Sequence, residues 1–149
     1  MRILIQRVMN ASVQVNNNEV SKIDRGYLLF VGIHEHDTES EVKWLASKTS
    51  GLRLFEDADG KFNHSIQETM GEVLVVSQFT LYGDARKGRR PSFSHAAPPE
   101  KAEPLCKLFA DLLREGNLTV KEGVFGAQMQ VSLVNDGPVT IMLEREPGS

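Results

Sequence analysis

Two stretches of this 149-residue chain carry residue types that could do chemistry. In Val75-Val76-Ser77-Gln78-Phe79-Thr80-Leu81-Tyr82, polar Ser77, Gln78 and Thr80 interrupt an otherwise apolar run. A polar group withdrawn from water costs about 1–3 kcal/mol unless it is hydrogen-bonded. A strand that gives up apolar positions in this way lines a pocket or joins a polar network. Alternation puts Gln78 and Thr80 on one face and Ser77 and Phe79 on the other. The second stretch is Asn135-Asp136-Gly137-Pro138-Val139-Thr140. Its simplest reading is a tight hairpin turn, which Asn, Asp and Gly all favour. Proline at a strand start removes a ladder donor and marks a bend. X-Pro is also the one bond at which a cis peptide is cheap, and a cis Gly-Pro unit turns its carbonyls where a trans unit does not. Between the two lies Arg86-Lys87-Gly88-Arg89-Arg90, four basic residues in five on a chain of net charge −3. A local basic loop is a phosphate contact or a solvated charged loop.

The remaining candidates read as structure. His34 and His36 stand two apart, on one side of a strand, in His34-Glu35-His36-Asp37, but no third metal ligand follows at a persuasive spacing. That segment reads as a polar loop between a strand and a helix, and no metal or cofactor is expected. Asp57-Ala58-Asp59-Gly60 lacks the later positions of a calcium loop and reads as a turn. Cys106 has no histidine near it in sequence and reads as a packed thiol. Trp44 reads as core or partner surface. All four histidines, His34, His36, His64 and His95, lie outside both polar stretches, so no Ser-His-Asp arrangement is visible. Thr80 or Ser77 would be an unactivated hydroxyl nucleophile, which is weak.

The elements that must hold these residues follow from periodicity. Ile3, Ile5, Val13 and Val15 alternate as in strands, and Asn16-Asn17-Asn18 is a turn cluster. A strand is expected around Val20 to Ile23. Tyr27 to Val31 has the continuous apolar pattern of a strand buried on both faces. Thr38 with Glu41 forms a capping box, and Val42, Leu45, Ala46 and Thr49 predict a helix over about Glu39–Ser50, stopped by Gly51. Strands are predicted at Leu52–Phe55 and Val73–Leu81, and a loop at Gly83–Pro99. A second helix over about Pro99–Glu115 has Ala102, Leu105, Phe109 and Leu112 as its stripe. Two strands, Met129–Val134 and Val139–Leu143, joined by Asn135–Pro138, complete the chain. No repeat, linker or domain boundary interrupts it, so residues 1–149 read as one domain, with about 144–149 a flexible tail. The fold class is α+β: an antiparallel or mixed sheet, curled towards a barrel, with two main helices.

One cysteine excludes an intramolecular disulfide and fits a reducing, cytoplasmic setting. The opening residues do not form a signal peptide, and no run reaches the roughly 18 apolar residues of a membrane span. The acidic balance leaves any basic surface local.

Ser77-Gln78-Phe79-Thr80-Leu81 and Asn135-Asp136-Gly137-Pro138-Val139-Thr140 resemble the two signature motifs of the D-aminoacyl-tRNA deacylases. The resemblance extends to Gln6-Arg7-Val8, Leu52 to Asp57, Arg86 to Phe93, and Phe125-Gly126-Ala127 with Met129-Gln130-Val131, and covers the chain from Met1 to about Leu143. It implies a homodimer of barrel-like subunits whose site forms where the Ser-Gln-Phe-Thr segment of one meets the Gly-Pro loop of the other. The implied partner is a tRNA carrying a D-amino acid on its 3′-terminal adenosine. The implied reaction is hydrolysis of that ester, and of glycine mischarged on tRNA(Ala), with L-aminoacyl-tRNA spared.

By this resemblance, main-chain N–H groups around Phe79 and Thr80 would polarise the ester carbonyl. Ser77 and Gln78 would shape the adenosine pocket, and Thr80 would orient the ester. Gly137 and Pro138 of the partner subunit would select chirality. Arg86, Lys87, Arg89 and Arg90 would contact tRNA. Two rivals remain: a barrel that binds tRNA or single-stranded nucleic acid without chemistry, which calls for exposed stacking aromatics, and an esterase using Thr80 or Ser77 as nucleophile.

Overall fold

A fourteen-residue strand, β1 (Arg2–Val15), is the spine of the molecule. A computed structural model describes all residues, Met1–Ser149. Ile3, Ile5 and Arg7 alternate into the interior from β1. Asn16 and Asn17 take left-handed φ of 51° and 64° and reverse the chain, the conformation asparagine tolerates best. β2 (Asn18–Ile23) pairs with the second half of β1, and β3 (Gly26–Gly32) with the first half, both antiparallel. β6 (Glu72–Ser77) and β7 (Thr119–Glu122) then add in parallel beyond β3. The last strand, β8 (Gln130–Glu144), runs antiparallel along the other edge of β1 for nearly its full length. The result is a mixed, nearly closed barrel-shaped sheet, the expected α+β class.

Two long helices pack on one face of the sheet. α1 (Glu39–Gly51) begins at the predicted capping box: Thr38 Oγ1 accepts from Ser40 N–H, and Glu41 reaches back to Thr38 N–H. α3 (Pro99–Glu115) starts on a proline, where the missing N–H costs nothing. Its buried stripe is Ala102, Cys106, Phe109, Ala110 and Leu113, rotated from the expected one so that Leu105 and Leu112 are only half-buried. Tyr27, Leu29, Val31, Val73 and Val75 meet the helices, whereas Leu28, Leu74 and Val76 fill a second cluster on the opposite face. β3 is therefore buried on both faces, as its apolar run predicts. A small hairpin, β4 (Arg53–Glu56) and β5 (Phe62–Ser65), and a one-turn helix, α2 (Ile66–Thr69), form the remaining connection. β5, β7 and α2 are too short to show a period and were not expected. No helix is long and apolar enough to cross a membrane.

Two expectations are corrected. The strand predicted to reach Leu81 stops at Ser77. The β3–β6 ladder ends at Val31↔Ser77, Gln78 N–H donates to Val31 O (2.7 Å), and Phe79–Tyr82 winds into a 3₁₀ turn. Gly32 allows the crossing: a Cβ there would sit 3.1 Å from Leu81 Cβ and 3.2 Å from Gln78 O. The hairpin expected at Asn135–Pro138 is absent because both flanking segments pair with the same edge of β1. Gln6 faces Thr140 and Val8 faces Asn135, so four residues, Asp136 to Val139, stand where β1 supplies only Arg7. They form a wide bulge in one continuous strand.

Arg7 anchors that bulge. It is only 3 % exposed and donates from Nη1 to Leu54 O (2.7 Å) and Glu56 Oε2 (2.9 Å). Asp136 Oδ2 lies 3.0 Å from its Nε as an ion pair, without hydrogen-bond alignment. Asn135 Nδ2 closes the neck of the bulge, donating to Arg7 O (2.9 Å) and Val139 O (3.1 Å). At the chain ends, Met1 and Arg145 exchange two main-chain hydrogen bonds, and Gly148 N–H donates to Glu41.

Removing a buried partner of an ion pair typically costs 3–5 kcal/mol. Glu56 and Asp136 both reach solvent, so Arg7→Ala is expected at the lower end, about 3 kcal/mol, read as a fall in the urea midpoint with unchanged slope. Glu41 gives a pH signature. Burial opposes its charge, but the N–H groups of Gly148 and Thr38 and the Thr38 hydroxyl outweigh it and hold the carboxyl at about 2 against an ordinary 4.5. A depressed carboxylate contributes stability that is full above its unfolded value and lost as pH falls through its folded value. Glu41→Gln is therefore expected to be less stable than wild type at pH 7, with the gap closing between about pH 4.5 and pH 2 in parallel unfolding titrations.

Candidate functional site

The Ser77–Thr80 segment forms a rim rather than a strand. Ser77 ends β6, half-buried, and its hydroxyl faces the Cys106 thiol of α3. Phe79 and Thr80 open the 3₁₀ turn and are exposed, Phe79 by 55 %. The first N–H groups of a helical turn have no partner within it, and those of Phe79 and Thr80 occupy that position. Leu81 N–H returns to Gln78 O (3.2 Å) and Gly83 N–H to Thr80 O (2.9 Å), which fixes the turn. Gln78 Nε2 donates to Thr80 Oγ1. Thr80 is thus held by an amide, with neither a histidine nor a carboxylate as its hydrogen-bond partner.

Beside this rim lies a cavity of about 520 Å³, within the size range of small-molecule sites. Its walls are mostly hydrophobic: Ile33, Phe79, Phe93, Ala97, Phe125 and Met129 contribute, with Ser77 and Gln78 as the polar edge. Phe79 and Phe93 meet edge to face, centroids 5.2 Å apart and planes at 70°, a favoured aromatic geometry. A flat aromatic ligand with a polar rim matches this lining.

The second motif does not join it within one chain. None of Asn135 to Pro138 lines the cavity. Gly137 and Pro138 are exposed at the crest of the β8 bulge, and the bond between them is cis. A Cβ on Gly137 would meet nothing closer than Asn135 Oδ1 at 3.6 Å, so the chain itself leaves room for a side chain. Next to the bulge, β8 exposes apolar Val134 (51 %) and Met142 (47 %), and its outer edge has no partner strand.

The basic loop is held shut at its base, where Asp84 and Ser92 exchange N–H···O bonds of 2.7 and 2.9 Å. Its residues are not equivalent. Arg86 grips Asp84 through two hydrogen bonds (2.9 and 2.7 Å). That pairing, with the Arg86 N–H, holds the Asp84 carboxyl at about 2. Lys87, Arg89 and Arg90 are exposed and form no ion pair within the chain. They are the residues free to meet a phosphate.

The expected packed thiol at Cys106 is buried. Desolvation first, then Glu122, pushes its pKa up to about 12, against a partial offset from Ser77, so it is no nucleophile. Trp44 is half-exposed at the surface, with Arg145 stacked 4.6 Å over its ring. Sequence reasoning did not single out Phe93, Phe125 and Met129 as cavity walls, because residues from separate loops carry no common period. It also passed over Arg7, although a charge at an inward position of an alternating strand was visible.

This geometry can be set beside known proteins. Residues 4–144 match the family model described as D-Tyr-tRNA(Tyr) deacylase. The D-aminoacyl-tRNA deacylase of Thermotoga petrophila is 58 % identical over 144 residues, spanning 97 % of each chain. That of Exiguobacterium sp. is 57 % identical over 145 residues, spanning 97 % of this chain and 99 % of its own. Among solved structures, a c-Myc DNA Unwinding Element Binding Protein superposes with a TM-score of 0.91 at 43 % identity, covering 98 % of this chain and 99 % of its own. A probable eukaryotic D-amino acid tRNA deacylase, only 18 % identical, shares the fold with a TM-score of 0.84 over 95 % of this chain and 97 % of its own. With nearly the whole sequence matched in a single alignment, the chain belongs to the D-Tyr-tRNA(Tyr) deacylase family.

Proposed function

We propose that the protein hydrolyses the ester between a D-amino acid and the 3′-terminal ribose of tRNA, releasing free amino acid and tRNA, and that it spares L-aminoacyl-tRNA. One observation supports the reading beyond family membership: the apolar cavity is bordered by Ser77, Gln78 and Phe79 where a 3₁₀ turn begins, and no histidine or carboxylate lines it to activate a nucleophile. The terminal adenine enters the cavity between Phe79, Phe93 and the aliphatic walls, where base–aromatic stacking is worth about 1–3 kcal/mol. Ser77 and Gln78 border it. The ester carbonyl then meets the N–H groups of Phe79 and Thr80, which stabilise the oxyanion as charge develops, and the Gln78–Thr80 pair orients the ester. Water attacks the carbonyl carbon, the bond to the ribose 3′-oxygen breaks, and that oxygen takes the proton. The neighbouring 2′-hydroxyl assists the water. No acyl-enzyme forms, and no metal takes part.

Stereochemistry comes from a second copy of the chain. The unpaired β8 edge and exposed Val134 and Met142 form a surface that a homodimer would cover. In that dimer the Gly137-Pro138 crest enters the partner's site, and its main-chain carbonyls accept from the substrate's α-ammonium. With ammonium and ester both held, a D side chain points to solvent and an L side chain points into backbone. Rejection by steric conflict accepts many D-amino acids, and glycine on tRNA(Ala), without recognising any side chain. Lys87, Arg89 and Arg90, with Arg86 braced on Asp84, meet tRNA phosphates.

The first test is a matched pair of deacylation assays, with one tRNA charged with D-tyrosine or with L-tyrosine, each with and without a chelator. Loss of the D-ester alone, unaffected by chelator, is the expected result. Binding of the tRNA without loss of either ester would leave a nucleic-acid-binding barrel in place of the enzyme. A second test uses the room around Gly137. Gly137→Val is expected to keep the wild-type urea midpoint and to lose most D-deacylation. Mixed dimers of Gly137→Val with a disabled Thr80 variant are then expected to regain about one working site in two. Full activity in the Gly137→Val homodimer would remove the bulge from the site.

A further inference from the structure

We infer that His34, Glu35 and His95, with His36 beside them, form a binding site for a divalent transition-metal ion of the zinc class, outside the catalytic rim. Sequence spacing offers only two histidines and no third ligand, but the fold supplies one from 60 residues away. The loop leaving β3 and the loop entering α3 are laced together by Glu35 N–H to His95 O (2.9 Å), Ala97 N–H to Ile33 O (2.9 Å), and a β-bridge between His34 and Ala96. Potential ligand atoms of His34, Glu35 and His95 consequently all lie within 4.8 Å of one another. Glu35 Oε1 is the centre of the group, 3.4 Å from His95 Nδ1 and 3.8 Å from His36 Nε2. Donors at about 2.0–2.1 Å from a tetrahedral zinc stand about 3.3 Å apart, so the Glu35–His95 edge is already close to length.

The donor set of imidazoles and one carboxylate suits zinc, cobalt or nickel rather than magnesium or calcium. The ring of His34 is positioned from both sides, parallel to His95 with centroids 5.7 Å apart and edge-on to Tyr82 at 5.3 Å. His34 Nδ1 accepts the His36 N–H at 3.0 Å, so it is the nitrogen that carries a lone pair. Coordination there exchanges a weak proton donor for the ion. At His95 the ion replaces the proton shared with Glu35. The two loops carry Ile33, Phe93, Ala96 and Ala97, all in the wall of the apolar cavity, so a bound ion would clamp that wall without touching the reacting ester.

The test is Co²⁺ titration of chelator-stripped, desalted protein, followed by visible absorption and then by displacement with Zn²⁺. One saturable Co²⁺ per chain with tetrahedral or five-coordinate bands is expected, together with a rise of about 5 °C or more in Tm at a hundredfold excess over Kd. His95→Ala and Glu35→Gln, both at accessible positions, should each weaken binding at least about tenfold. His64→Ala, outside the cluster, should leave it unchanged. The ring ¹⁵N resonance of His34 Nδ1 should shift on Zn²⁺ loading. Absence of saturable binding, or equal binding by wild type and His95→Ala, would overturn the assignment.

Discussion

A single buried guanidinium organises this molecule. Arg7 occupies an inward position of the central strand, in line with the buried Ile3 and Ile5 and next to core Val8. A charge there is tolerated only because its fork is occupied: one arm takes the Leu54 carbonyl and Glu56 from the small hairpin, and the other faces Asp136 across the β8 bulge. Those contacts tie three separate parts of the chain to one point. They coincide with the place where β8 leaves its register: the Asp136 carboxylate meets the guanidinium while Asn135 holds the Arg7 carbonyl at the neck of the bulge. Lysine, with a single point of charge, would not reproduce the geometry.

The other specialised segment arises from the opposite device, early termination. β6 loses its ladder partner when β3 ends at Gly32, and the chain folds down into a 3₁₀ turn before any further strand can claim it. Polar Ser77, Gln78 and Thr80 fall where the sheet gives out, which is why they can be polar. The turn leaves the first main-chain N–H groups, normally consumed by a neighbouring strand, without a partner inside it, beside the cavity edge at Ser77, Gln78 and Phe79. Both motifs are therefore places where the sheet fails in a controlled way, one by excess length and one by deficit.

How much of this the sequence discloses depends on the length of the signal. The capping box at Thr38, the Asn16-Asn17 turn, the doubly buried run at Tyr27–Val31 and both long helices were legible, since each is a local pattern with its own physical cause. Val73–Leu81 was overextended because strand periodicity continues through Phe79 and Leu81, while the event that ends the strand lies in β3. Asn135–Pro138 has the composition of a hairpin, and only the pairing of both its flanks with β1 makes it a bulge. His95 could not be matched with His34 and Glu35 because no spacing rule spans two loops. Phe93, Phe125 and Met129 converge on one cavity for the same reason. Local chemistry was visible; convergence of distant loops was not.

The wide bulge in β8 is bracketed by intact ladder pairs, Gln6↔Thr140 on one side and Val8↔Asn135 on the other, and its neck is sealed by Asn135. Gly137 and Pro138, exposed at its crest, can therefore differ without shifting the register of any other strand, whereas Asp136 stays paired with Arg7 and Val139 stays in the core. The scaffold fixes where the crest stands and at what height, and the crest alone decides what it presents. Two exposed residues, Gly137 and Pro138, thus stand at a fixed height above the sheet, carried by neighbours that packing and the Arg7 ion pair hold in place.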